Sequence, residues 1–394
     1  MKRLLFLVLL LLGVAGWAGD TQLVVEKYVE NRPNIGVTFD GPPAVLQVLK
    51  TDLQVVDHFN YTINMPGQVP YRFDFKFFKN GDGKWELDVT YLINNQVDQI
   101  RKYKTNDKSY YPFLVHQAVY DINDYFHLPK VGFLIRKVLY SVNTAPLQAD
   151  IYLADYSLTF RKRIITGGLN IFPKWANDEQ TQFFFTKMDY LPTLYKYDLT
   201  TGERTKILTS QGMLVASDRR GDQLLLTMAP HGAPDIYLYN MKTGRLKRIT
   251  TSSASDVSGH FWGKDRIAFV SDRYGSPLVF SKNLKTGVVK RVLYWGNNQV
   301  GLDTYKDYMV ISSRESNNAY GPNTFNLFLV NLNNYGLERL TTSGQNGYPN
   351  FSVDGSSIMF IKRIGLNSQI GIIRLQERKV FYYPLAHRLQ SFDW

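Results

Sequence analysis

Side chains able to bind a metal or act as acids and bases are scattered in this sequence. The chain has no cysteine, and none of its six histidines stands at the His-x-x-x-His or His-Glu-x-x-His spacing of a zinc site. The histidines are His58, His116, His127, His231, His260 and His387. His260 precedes a Phe-Trp pair, where a metal ion is conceivable, but a zinc site needs three or four converging ligands. We therefore expect structural or surface histidines, with no metal and no other cofactor.

Motifs for covalent catalysis or phosphate binding are also missing from the sequence. No Gly-x-Ser-x-Gly, Gly-x-x-x-x-Gly-Lys-Ser/Thr or Gly-x-Gly-x-x-Gly pattern occurs. The absence of cysteine excludes a disulfide, an iron–sulfur cluster, a thiol nucleophile and a lipid-modified cysteine. The predicted inner strands carry few carboxylates, namely Asp303, Asp354 and Asp393, and Asp354 precedes glycine as in a turn. We predict a binding protein rather than an enzyme.

The N-terminus has the three parts of a secretory signal peptide. Lys2 and Arg3 precede an apolar run from residue 4 to residue 14, and Gly16 and Ala18 place small residues at the cleavage site. An uncleaved anchor is the alternative, but the run is much shorter than the roughly 20 apolar residues of a spanning helix. We predict that residues 1–18 are a signal peptide and that the protein is exported to a periplasm or the cell exterior.

The balance of charge is basic, with 46 Lys and Arg against 34 Asp and Glu, a net charge of +12. The basic residues are dispersed, with small groups at 161–163, 247–248, 290–291 and 362–363 near predicted strand ends. Export disfavours nucleic acid as a partner. A solvated face is the usual explanation for such charges. Attraction to anionic headgroups, acidic glycans or an acidic partner is the functional alternative.

Residues 19–134 have the pattern of a two-layer α/β domain. Alternating aromatic and polar residues on both sides of Asn80-Gly81-Asp82-Gly83 predict an antiparallel hairpin. Strands are also predicted at 23–29, 35–39 and 97–104. Two apolar stripes at helical spacing predict helices: Leu46, Leu49, Leu53 and Val56, then Val115, Val119, Ile122 and Phe126, with Ser109 as the predicted N-cap of the second.

Residues 135–394 contain a repeat of short strands. Six similar units begin at Lys137, Gln180, Gln223, Arg266, Tyr308 and Ser356. Four strands in about 40–45 residues is the period of a propeller blade, so we predict an all-β six-bladed β-propeller. A β-sandwich with chance periodicity is the alternative. The final segment, 389–394, is predicted to complete the first blade and so close the ring.

The order of these parts resembles the TolB family of the Tol–Pal envelope system. The resemblance rests on Ile35-Gly36-Val37, on the segments 132–140 and 150–156, on Ser271-Asp272-Arg273 and on Val353-Asp354-Gly355. It implies a periplasmic, non-enzymatic scaffold that binds the peptidoglycan-associated lipoprotein Pal and communicates with TolA, maintaining outer-membrane integrity and constriction during cell division. Outer-membrane proteins or colicin-like ligands are further partners of this class; stable membrane insertion is not expected.

Loops that join each blade to the next are predicted to meet at one mouth of the propeller, which suits protein docking. The predicted contact residues are Gln211, Gly212, Met213, Ser255, Asp256, Val257, Ser258, Asn298, Gln299, Gln345, Asn346 and Tyr348. By resemblance, 211–213 and 255–258 match the loops that contact Pal, and we expect Asp256 and Met213 in that interface. The alternative is that these loops are plain connectors.

A second partner site is expected at the exported N-terminus. By resemblance, Asp20, Thr21, Gln22 and Leu23 belong to the segment that responds to TolA, although a frayed terminus is the simpler reading. A different function remains open for the whole chain: a periplasmic propeller that binds or cleaves an envelope polysaccharide. Such an enzyme would need carboxylates or a metal cluster in the channel.

Overall fold

The computed structural model describes residues 32–65, 67–314 and 324–394. The predicted signal peptide, the predicted strand at 23–29 and the four expected TolA-responsive residues lie outside the described residues. No helix in the described part of the chain is long and apolar enough to cross a membrane.

The chain begins with a five-stranded sheet covered by two helices, which together form the N-terminal unit. Its elements are β1 Asn34–Asp40, α1 Pro43–Val56, β2 Asn60–Ile63, β3 Tyr71–Lys79, β4 Trp85–Ile93, β5 Gln96–Thr105 and α2 Tyr111–Tyr125, with short 3₁₀ helices at Lys108–Tyr110 and Gly132–Ile135. The strand order is β2-β1-β3-β4-β5, with β1 parallel to both neighbours and the other pairs antiparallel. The predicted α/β unit is therefore confirmed.

The hairpin and both helices follow from the sequence pattern. Phe73, Phe75 and Phe77 alternate along β3 and are buried, because one face of the sheet lies under the helices. α1 ends where Asp57 adopts a left-handed conformation and donates its backbone N–H to the Leu53 carbonyl. The predicted N-cap at Ser109 is wrong: the Asp107 side chain accepts the Ser109 N–H there, so the chain first makes a 3₁₀ turn before α2.

The rest of the described chain consists of successive antiparallel sheets. The strands are β6 Val138–Ala145, β7 Gln148–Ala154, β8 Arg161–Ile165, β9 Leu169–Trp175, β10 Gln182–Met188, β11 Pro192–Asp198, β12 Arg204–Thr209, β13 Leu214–Arg220, β14 Gln223–Met228, β15 Asp235–Asn240, β16 Leu246–Arg248, β17 Asp256–Trp262, β18 Arg266–Ser271, β19 Leu278–Asn283, β20 Val289–Arg291, β21 Asn297–Tyr305, β22 Tyr308–Arg314, β23 Asn326–Asn331, β24 Leu337–Arg339, β25 Gln345–Phe351, β26 Ser357–Ile364, β27 Asn367–Arg374, β28 Lys379–Leu385 and β29 Leu389–Asp393. β13–β16, β17–β20, β21–β24 and β25–β28 each form a four-stranded sheet.

The remaining strands form one eight-stranded sheet with two parts. The closing half contains β29, β6, β7 and β8, and the second half contains β9 to β12. A single parallel residue pair, Ala149 with Leu169, joins the halves. β29 runs antiparallel to β6, so the last strand of the chain pairs with the first strand after the N-terminal unit. The predicted closing role of this segment is confirmed, and the sheets form a β-propeller.

Aspartates on alternate inner strands tie neighbouring sheets together. Asp393 on β29 accepts the backbone N–H of Trp175 on β9 at 2.8 Å. Asp218 on β13 accepts that of Phe261 on β17 at 2.8 Å, and Asp303 on β21 accepts that of Phe351 on β25 at 2.7 Å. Inner strands of one sheet therefore supply hydrogen bonds that the next sheet's inner strand cannot obtain from its own ladder.

Candidate partner-binding site

A cavity of about 470 Å³ lies among the inner strands of the propeller. Apolar side chains from five inner strands contribute to its wall, namely Phe172, Val257, Val300, Tyr348 and Phe392, together with Met213 in the loop just before β13. A volume of this size is typical of a small-molecule site or of a pocket that takes one anchoring segment of a partner. The cavity is built by strands far apart in sequence, which only ring closure brings together.

The strand order decides which loops surround the cavity entrance. In antiparallel sheets, the connection between the second and third strands and the connection to the next inner strand emerge at the same end. We call this end the mouth. It carries exposed Met213 and Tyr348 at the cavity and, farther out, exposed Tyr190, Tyr274 and Tyr294. Exposed aromatic and methionine side chains in a polar setting are typical of protein-binding surfaces.

The opposite end of the propeller faces the N-terminal unit. Turns at this end supply Asp155, Asp354 and Glu377, and each of these carboxylates contacts a residue that precedes β6. The Gly132 N–H, for example, donates to Asp354 at 2.6 Å. The N-terminal unit therefore does not cover the mouth through these contacts.

Half of the predicted contact residues line the cavity: Met213, Val257, Ser258, Gln345, Asn346 and Tyr348. Gln211 is exposed beside them, and Gly212, Ser255 and Asn298 are partly buried in the neighbouring loops. The structure thus brings together segments 211–213, 255–258 and 345–348, as the mouth prediction required. Whether these residues contact a partner stays a prediction.

Two predicted contact residues are wrong as surface residues. Asp256 is fully buried, and both of its carboxylate oxygens accept hydrogen bonds from Arg273 at 2.9 and 3.1 Å. Gln299 is also fully buried, accepts the Val279 N–H at 2.7 Å and donates to the Trp295 carbonyl at 2.6 Å. A buried carboxylate needs a partner because desolvation of an unpaired charge is costly. Both side chains are therefore placed to hold the mouth loops in position.

Gly212 has a steric reason to be glycine. A Cβ at this position would lie 2.4 Å from the backbone carbonyl oxygen of Ala229 in the adjacent loop. The loop that carries Met213 thus packs directly on its neighbour's backbone, and this close approach sets the height of Met213 at the cavity edge.

Several buried polar atoms around the cavity have no hydrogen-bond partner among the described residues. They are Thr227 Oγ1, Asn346 Oδ1 and Arg363 Nε, all in residues that line the cavity. An unpaired buried polar atom typically costs about 1–3 kcal/mol. A bound segment that satisfies such atoms gains affinity and orientation, so the cavity is suited to a ligand with both apolar and hydrogen-bonding groups.

Charged residues inside the ring neutralise one another. The Lys174 ammonium lies 2.7 Å from Asp393 Oδ1, and His260 Nδ1 lies 3.0 Å from Asp303 Oδ1. Burial alone would lower the pKa of Lys174, but Asp393, Asp218 and Asp303 hold that pKa above its ordinary value. Burial raises the pKa of Asp218, whereas His260 and Lys174 keep the pKa of Asp303 below its ordinary value despite burial.

The sequence did not lead us to predict that Lys174 and Asp218 belong to this group of buried charged residues. A usable signal was present, because Asp218, Asp303 and Asp393 each occupy an inner strand in every second repeat. Among the described residues, no group of three or more His, Asp or Glu is placed to hold a metal ion. His260 lines the cavity beside Asp303.

Comparison with known proteins identifies relatives of this chain. The family model described as the TolB beta propeller domain matches residues 130–383. "Tol-Pal system protein TolB" of Campylobacter jejuni strain RM1221 is 38% identical over 407 aligned positions covering 100% of each chain. The protein of the same name from Wolinella succinogenes is 39% identical, covering 98% of this chain and 99% of its own.

A solved structure shares the fold. The crystal structure of TolB from Acinetobacter baumannii superimposes with a TM-score of 0.77, covering 92% of this chain and 96% of that chain at 19% identity. The similarity includes the N-terminal unit as well as the propeller, since the match extends over nearly all of both chains. On the full-length relatives and the family model together, this chain belongs to the TolB family of Tol–Pal system proteins.

Proposed function

We propose that this protein is a periplasmic TolB-type scaffold that binds a Pal-class peptidoglycan-associated lipoprotein at the mouth and communicates with TolA. The observation that carries the proposal is the apolar cavity entrance, with exposed Met213 and Tyr348 beside buried unpaired polar atoms. In this role the protein contributes to outer-membrane integrity and constriction at cell division. Outer-membrane proteins or colicin-like ligands are proposed as further partners.

The domain division proposed here is a signal peptide at 1–18, an α/β domain at 19–134 and a propeller of six blades at 135–394. The four separate four-stranded sheets count as four blades. The closing half and the second half of the eight-stranded sheet each have the four-strand order of one blade and share a single residue pair, which supports counting them as two.

The pairing of the buried charged residues inside the propeller favours a non-enzymatic role. Lys174 and His260 each lie against an aspartate, and the second oxygen of that aspartate accepts a backbone N–H of the next sheet. A catalytic acid or base must be able to donate a proton to the substrate or accept one from it. These groups instead hold neighbouring sheets together. The TolA contact is proposed for Asp20, Thr21, Gln22 and Leu23.

The docking proposal is tested by titrating purified Pal-class lipoprotein, without its lipid, into the protein by calorimetry. Met213→Ala and Tyr348→Ala remove exposed anchors, and each is expected to weaken binding by about tenfold or more, since anchor residues typically contribute 1–2 kcal/mol or more. Tyr335→Ala is the matched control because Tyr335 is an exposed aromatic in the β23–β24 turn, at the other end of the propeller. Unchanged affinity in both mouth variants would refute docking at this site.

A further inference from the structure

The N-terminal unit packs over the boundary between the last four-stranded sheet and the closing half of the propeller. We call the junction between the β25–β28 sheet and the closing half the seam. One hydrophobic cluster joins residues of both helices to residues on both sides of the seam, including Leu53, Val119, Tyr140, Ile370, Leu389 and Trp394. Each of the other clusters among the described residues lies mainly between two successive sheets. The core of the seam is thus continuous with the core of the N-terminal unit.

A buried histidine crosses from the N-terminal unit to the closing half. His116 on α2 is fully buried, with Nδ1 2.8 Å from Asp52 Oδ2 on α1. Its Nε2 lies 3.2 Å from Asp155 Oδ2, in the turn after β7. The next residue of that turn, Tyr156, donates its hydroxyl to Asp52 at 2.6 Å. Two residues of the closing half therefore hold a pair of residues from the two helices.

The geometry requires His116 to carry two protons when both carboxylates are ionised, because both ring nitrogens face carboxylate oxygens. Burial alone would lower the pKa of His116, but Asp52 and Asp155 raise it to about 9. The other polar groups around the cluster are Ser157, which donates to Asp155, and Tyr383 on β28. With both carboxylates ionised, the doubly protonated imidazole bridges the two units.

A second buried histidine crosses to the other side of the seam. His58, directly after α1, lies with Nδ1 2.6 Å from Asn123 Oδ1 on α2 and Nε2 2.6 Å from Glu377 Oε1. Glu377 stands in the turn between β27 and β28 and also accepts a hydrogen bond from Arg374 at 2.8 Å. Nearby, Lys379 pairs with Asp57 across the same boundary.

We propose that His116 and His58 form a two-point clamp by which the N-terminal unit holds the seam of the propeller closed. His116 fixes the closing half through Asp155, and His58 fixes the last sheet through Glu377. The two fixed points lie on opposite sides of the junction, so a rigid N-terminal unit limits how far the sheets can separate. This is a conformational device built into the fold rather than a property of either unit alone.

The clamp has a consequence for the mouth, which rests on the proposed docking function. Ser391 and Phe392 on one side of the seam, and Asn350 and Ile361 on the other, line the cavity. A change in the spacing of the seam is therefore expected to change the shape of the docking cavity. The clamp thus provides a contiguous physical connection between the N-terminal unit and the docking cavity at the mouth.

The test is amide hydrogen exchange of the full mature chain. No partner is present, so the result does not depend on whether the docking proposal is correct. Asp155→Asn and Glu377→Gln each break one fixed point. Asp235→Asn is the matched control: it breaks a buried aspartate pair with Arg248 inside the β13–β16 sheet. We compare exchange in β29 and β6 at the seam with exchange in β14, a buried strand away from it.

The clamp predicts that each seam variant speeds exchange in β29 and β6 by at least about tenfold relative to β14. The control should speed exchange in its own sheet and leave the seam unchanged. Equal acceleration of β29 and β14 in the seam variants, or no acceleration in β29, would overturn the proposal. If Asp155→Asn fails to fold, the Glu377→Gln variant at the partly exposed turn gives the same comparison.

Discussion

The indole N–H of Trp394 donates a hydrogen bond to the backbone carbonyl of Phe351 at 3.1 Å. Trp394 is the final residue of the chain, and Phe351 ends the inner strand of the last four-stranded sheet. The C-terminus thus binds β25 through its side chain while β29 binds β6 through its backbone. The final six residues therefore contribute to ring closure through two contacts, one with β25 and one with β6.

Deleting residues 389–394 should destabilise the whole propeller. The deletion exposes β6 as an edge strand and removes the buried side chains of Leu389, Phe392 and Trp394, each worth roughly 2 kcal/mol. We expect a clearly lower Tm by calorimetry in a single cooperative transition. Trp394→Phe, which keeps β29 but loses the indole hydrogen bond, should cost much less. A truncated protein with the Tm of the full chain would show that β29 does not close the ring.

Replacing Lys174 by methionine should destabilise the propeller, because it removes the cation that pairs with Asp393. The substitution removes the ammonium that lies 2.7 Å from the buried Asp393 carboxylate, and breaking a buried ion pair on one side typically costs about 3–5 kcal/mol. Adding Asp393→Asn to Lys174→Met should recover part of the loss measured by urea unfolding. Additive losses in the double variant would mean that the two side chains do not interact.

Alanine at Gly212 should weaken partner binding without removing any contact side chain. Its Cβ would meet the Ala229 carbonyl at 2.4 Å, so the loop carrying Met213 must shift. We expect several-fold weaker binding of the Pal-class lipoprotein by calorimetry and a small loss of stability. Gly347→Ala is the control on the same cavity wall, since nothing lies within 4 Å of its added Cβ. If the two variants bind the lipoprotein with equal affinity, the position of the loop that carries Met213 does not affect docking.

Stability should fall as the pH rises because of His116. Its pKa is about 9 in the folded protein and about 6.5 when unperturbed. A raised pKa contributes stability that is fully present below about 6.5 and is lost as the pH rises through about 9. A shift of this size corresponds to about 3 kcal/mol. Urea unfolding between pH 6 and pH 10 measures the effect.

The pH dependence is assigned to His116 by two variants. His116→Asn should flatten the stability profile between pH 6.5 and pH 9. His387→Asn, which removes an exposed histidine, should leave the profile as in the wild type. If the wild-type protein is equally stable at pH 6.5 and pH 9.5, the imidazolium between Asp52 and Asp155 does not contribute to folding.

Local sequence pattern was sufficient for most elements of this fold, whereas β2 and the 3₁₀ turn before α2 were not predicted. The Asn80-Gly81 turn with alternating aromatic residues predicted the β3–β4 hairpin, and the spacing of Leu49, Leu53 and Val56 predicted α1. Repeating strands at near-equal intervals predicted the propeller and the pairing of its final strand. Such features are visible in sequence because side-chain periodicity and turn chemistry act between residues close along the chain.

Contacts between repeats were decided by the tertiary structure. Asp256 looked like a surface contact because its loop is polar, yet Arg273 holds it in the interior. His58 and Glu377 meet although 319 positions separate them, and Lys174 meets Asp393 across 219. These pairs form only when the ring closes and the N-terminal unit packs on the seam. The sequence by itself thus determined the strands, the helices and the family, whereas closure of the ring decided which charges are buried and which side chains remain at the mouth.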